Sequence, residues 1–66
     1  MTPQEILAKY QEKPVEERIR ELATELANLR GPGHDYRTIE AEYGAMIYND
    51  PDWVCNELAI ALAKFG

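Results

Sequence analysis

Val15, Ile19, Leu22, Leu26 and Leu29 follow one another at intervals of four, three, four and three residues. An α-helix turns once every ~3.6 residues, so this spacing lays one continuous apolar seam along a helix of about four to five turns. Such a seam must be buried against other apolar surface, and no segment of the chain shows the sustained alternation of a strand. The pattern predicts an all-α fold with this helix as its central packing element.

The residues around the seam punctuate the chain into further helices. Thr2, Pro3 and Glu5 supply a capping hydroxyl, a proline where no amide donor is needed and a carboxylate at the capping-box position. They predict a first helix over residues 3–12, whose narrow stripe of Ile6, Leu7 and Tyr10 suits a lid lying on the bundle. Pro14 disfavours helical geometry at Lys13, and Glu16 and Glu17 then favour the start of the seam helix through its dipole. Arg30-Gly31-Pro32-Gly33 stops that helix with a cation for the last carbonyls, a glycine free to turn left-handed and a proline that cannot continue the ladder.

Asp35 can cap a third helix, predicted over residues 36–48, with Tyr36, Ile39, Tyr43, Met46 and Ile47 on one face. Ala41, Gly44 and Ala45 line another face, where the missing bulk would admit a neighbouring backbone. Asn49-Asp50-Pro51-Asp52 reads as a tight corner into a fourth helix over residues 51–64. Val54, Cys55, Leu58, Ala59, Ala61, Leu62 and Phe65 share one arc of its wheel and belong in the core. The expectation is a single helical domain over residues 1–66, a small antiparallel bundle of three main helices plus a short N-terminal helix.

A chain of 66 residues buries only about 60% of its unfolded surface on folding, so its core needs a supplement. Cys55 is the only cysteine and His34 the only histidine, which leaves no internal disulfide and no Cys/His set for zinc. No metal and no cofactor are expected. Self-association is the supplement that remains, and a homo-oligomer, most simply a dimer, follows from it. With no secretory leader and no apolar run of about 18 residues, the expectation is a soluble, cytoplasmic chain away from membranes.

Seven basic residues against twelve acidic ones give a net charge of −5, which repels phosphate backbones and anionic lipid over a Debye length of about 8 Å. Direct nucleic-acid binding is excluded on that ground. A helix-turn-helix is excluded too, because Glu40 stands where a small residue is wanted four before Gly44, and residues 45–50 are too long a turn. A basic protein surface is the partner that an acidic chain suits.

Two sets of residues point to such contact. Trp53 and Ile60, seven residues apart on the fourth helix, project away from its core arc among Asn56, Glu57 and Lys64. Large apolar groups on a polar stripe need a cover, either the first helix or a partner, and tryptophan is enriched at interface hot spots. Glu17, Glu21 and Glu25 recur every four residues on the seam helix, a row that can dock on a basic groove. Arg20 and Arg18 lie three residues from Glu17 and Glu21 and can neutralise them in part, whereas Glu25 has no basic residue three or four positions away.

A small-ligand or nucleotide site is the alternative, built between protomers near His34, Asp35 and Tyr36, where glycines let backbone amides approach a ligand ahead of a helix start. The loop lacks the lysine and the serine or threonine of a P-loop. Glu40 could act as an acid or base, but an ion pair with Arg37 one turn back suits it better, and no second catalytic group stands at a fixed spacing. No catalytic residue is assigned and no enzyme is expected. In size and charge, though in no motif, the chain resembles the small inhibitors encoded by phages and mobile elements. The sequence therefore points to a small acidic protein–protein interaction module or inhibitor acting by surface contact.

Overall fold

The computed structural model describes residues 2–65 and contains five helices: α1 (Pro3–Ala8), α2 (Val15–Arg30), α3 (Tyr36–Tyr43), α4 (Met46–Asn49) and α5 (Pro51–Phe65). Among the described residues there is no strand. The two long helices, α2 and α5, pack on each other; α3 lies against α2, α1 lies against α5, and α4 bridges α3 and α5. The Cα trace measures 29 × 28 × 16 Å. With helix axes about 8–10 Å apart and a Cα radius of about 2.3 Å, the short dimension holds two layers of helix and no more. Every helix therefore keeps an outward face.

The core lies between α2 and α5. Ile19, Leu22, Ala23, Leu26 and Ala27 meet Val54, Cys55, Leu58, Ala59 and Leu62, with Ile39 of α3 and Ile6 of α1 closing the sides. It is wholly apolar, and no buried side-chain nitrogen or oxygen among the described residues lacks a partner. The predicted caps form: Thr2 and Glu5 bond reciprocally to each other's backbone N–H at 3.2 Å, and Asp35 Oδ1 accepts from the Thr38 N–H at 3.0 Å.

The helix boundaries differ from the sequence expectation at two places. Helix α1 stops at Ala8 rather than at residue 12, and the chain continues in tight turns in which Tyr10 N–H bonds Leu7 and Lys13 N–H bonds Tyr10. Arg18 holds those turns, donating from Nε to the Lys13 carbonyl at 2.6 Å and from Nη2 to the Gln11 carbonyl at 2.9 Å. The expected third helix is two helices, because Gly44 adopts φ 55° and ψ −131° and breaks the ladder between α3 and α4. Apart from Gly44 and its two chain neighbours, no residue places an atom within 4 Å of where a Gly44 side chain would start. The glycine serves the break and not a close approach, and Ala41 and Ala45 beside it are exposed, not covered by a neighbouring backbone.

The seam also ends early. Leu29 is 53% exposed, and its place in the core is taken by Ala23 and Ala27. A straight helix drifts about 20° per heptad from a strict 3.5-residue repeat, so the two heptads from Val15 carry Leu29 off the buried face. Phe65 keeps the correct phase on α5 yet lies in its last turn with 53% of its surface open, and Met46 is exposed as well.

Candidate functional site

The outward face of α5 is set by its cap. Asp50 Oδ1 accepts the backbone N–H of Trp53 at 3.3 Å and Pro51 opens the helix, which places the indole in the first turn. There it meets the Tyr43 ring at the end of α3, centroids 6.1 Å apart and planes at 75°, an edge-to-face pair. Ile60 follows about 10.5 Å further along the axis on the same face. It lines a shallow depression with Pro3, Gln4, Leu7 and Asn56. Helix α1 thus borders the stripe at Ile60 and the end of α3 borders it at Trp53, and neither closes it: Trp53 remains 41% exposed and Ile60 39%. Docking of α1 buries Ile6 instead.

The acidic row of α2 is not an open ladder. Lys13 Nζ reaches both carboxylate oxygens of Glu21 at 2.7 Å, and the Tyr10 hydroxyl donates to Glu25 Oε1 at 2.5 Å. Burial, and then the bond to Glu25, push the Tyr10 phenol well above its usual value. Glu17 stays exposed. The arginines expected to neutralise this row are used elsewhere: Arg18 seals the turn after α1, and the Arg20 guanidinium sits 4.6 Å from the centroid of the Tyr36 ring. Sequence spacing could not find the Tyr10 and Lys13 contacts, because they cross a turn whose path depends on Arg18.

Asp35 and Tyr36 are engaged in holding α3. Asp35 Oδ1 accepts from both the backbone and the hydroxyl of Thr38, and the backbone bond holds its carboxyl below the usual range. Tyr36 lies between Arg20 and Arg37, whose guanidinium is 5.8 Å from the ring centroid. His34 is exposed beside them. The expected pair between Arg37 and Glu40 does not form, because Arg37 turns back to the Tyr36 hydroxyl at 3.5 Å. Arg30 likewise leaves the helix carbonyls and pairs with Glu42.

A cleft of about 340 Å³ opens where the start of α2, the middle of α3 and the corner between α4 and α5 meet. Val15, Ile19, Ile47 and Pro51 form its apolar walls, and Glu16, Arg20, Glu40 and Tyr48 its polar rim. Cys55, by contrast, is buried, and desolvation raises its thiol, which suits packing and not nucleophilic chemistry. Among the described residues no three His, Cys, Asp or Glu side chains gather as a metal site, and no helix is long and apolar enough to cross a membrane. Compared with models of protein families, with curated proteins and with solved structures, the chain matches none.

Proposed function

We propose that this chain is an acidic protein-interaction module of the inhibitor type, which acts by docking the outward face of α5 on another protein and carries out no chemistry of its own. The observation that supports this is the stripe formed by Trp53, edge-on to Tyr43, and Ile60, left open although α3 borders it at Trp53 and α1 at Ile60. A rigid indole already held by a neighbouring ring loses little conformational freedom on binding, which is what makes aromatic anchors effective. A net charge of −5 favours a partner with a basic surface and makes association faster at low salt. A second copy of the chain is a further occupant that the same stripe would accept, as a dimer. A small-ligand site near residues 31–36 has less support, since Asp35 caps α3 and Tyr36 is held between two arginines.

The test compares Trp53→Ala and Ile60→Ser with the parent chain in affinity capture from native lysate and in sedimentation across micromolar concentrations. The expected result is a specific captured protein, or a dimer, whose affinity falls about tenfold or more on removal of Trp53 while helicity is retained. Undiminished capture and association in both folded variants would rule out the stripe as the docking face.

A further inference from the structure

Internal contacts redistribute the charge of this molecule. Glu21 and Glu25 are engaged by Lys13 and Tyr10, Glu42 by Arg30, and Glu5, Asp35 and Asp50 by helix caps. Among the described residues six acidic side chains make no hydrogen bond or ion pair: Glu12, Glu16, Glu17, Glu40, Asp52 and Glu57. Two of these, Glu16 and Glu40, stand on the rim of the cleft between α2, α3 and α4, above the apolar walls of Val15, Ile19 and Ile47. The one cation on that rim, Arg20, lies over the Tyr36 ring. Glu16 and Glu40 together outnumber Arg20 on this rim, so the mouth of the groove carries a net negative charge.

We propose that this cleft receives an arginine side chain of the protein partner. The stem of such a side chain is apolar and its head cationic, which matches a groove with aliphatic walls and carboxylates at its mouth. Tyr48, 86% exposed on the rim, can lay its ring over the guanidinium. A volume of about 340 Å³ is near the lower end of ligand pockets, which span roughly 300–1,000 Å³, enough for one long side chain and its water. An anion is disfavoured there because Glu16 and Glu17 already occupy the first turn of α2. This proposal rests on the chain being a protein-contact module and names a second anchor point, separate from Trp53.

The experiment is an amide NMR titration of the whole chain with the blocked tripeptide Gly-Arg-Gly, with its citrulline counterpart as the uncharged control. Saturable shifts at Ile19, Ile47 and Tyr48 with arginine, at least fivefold weaker with citrulline, are expected. Glu40→Gln and Glu16→Gln should each weaken arginine binding about threefold or more, Glu57→Gln on α5 should not, and the spectra report directly that each variant is folded. Shifts that grow linearly, or that spread over the acidic surface alike in all three variants, would overturn the proposal. Trp53→Ala separates the two ideas. If the cleft does not respond while protein capture still depends on Trp53, the arginine site is wrong and the contact function stands; if capture and dimerisation are undiminished in both Trp53→Ala and Ile60→Ser, docking through the stripe fails on its own evidence.

Discussion

The Tyr10 hydroxyl and the Glu25 carboxylate, fifteen residues apart in the chain, are joined by a hydrogen bond of 2.5 Å that ties the turn after α1 to the middle of α2. Lys13 on Glu21 and the Arg18 fork on the Gln11 and Lys13 carbonyls complete the same clasp. Hydrogen bonds to charged groups contribute about 1.5–3 kcal/mol, and partial exposure puts this one at the lower end. Tyr10→Phe is therefore expected to lower unfolding stability by about 1.5 kcal/mol, read from the urea midpoint. An unchanged midpoint would mean that the clasp contributes nothing to folding.

The same phenol gives stability an alkaline limit. Tyr10 and Tyr43 are raised by burial and by neighbouring carboxylates, and the Cys55 thiol by burial, so the folded chain holds these protons more tightly than the unfolded chain does. Their contribution is complete below the unfolded values, about 8.5 for a thiol and about 10 for a phenol, and is lost as pH rises beyond them. Urea unfolding from neutral pH to about pH 10.5 should show falling stability above about pH 9, with a shallower fall in Tyr10→Phe. A flat profile in the parent chain would contradict the shifts.

Leu26 is fully buried whereas Leu29 of the same seam is 53% exposed. Buried Leu→Ala substitutions cost about 2–5 kcal/mol, and a core this small supplies roughly 3–5 kcal/mol in all. Leu26→Ala should leave the chain largely unfolded by circular dichroism at 25 °C. Leu29→Ala should change stability by no more than about 0.5 kcal/mol. Equal losses would restore Leu29 to the core.

Gly44 joins α3 to α4 at φ 55° and ψ −131°, a region that residues with a Cβ rarely enter. Nothing crowds the position, so any loss on Gly44→Ala comes from the backbone alone. The expected loss is about 1–3 kcal/mol. Asparagine, which tolerates the left-handed helical region but not this one, should not rescue it. A neutral Gly44→Ala in thermal unfolding would show that the two helices fuse without cost.

The helical class, the caps at Thr2 and Asp35, the break at Pro14 and the placing of Trp53 and Ile60 off the core arc of α5 were all legible in the sequence. Each depends on interactions within a few residues or on the 3.6-residue period, and such local preferences are written position by position. The replacement of the expected arginine partners by Tyr10 and Lys13 and the gathering of Glu16 and Glu40 around one cleft were decided by the tertiary structure. They arise only when separate helices meet, because a flexible charged side chain takes whichever partner the packing brings within reach, and its own segment does not specify that choice.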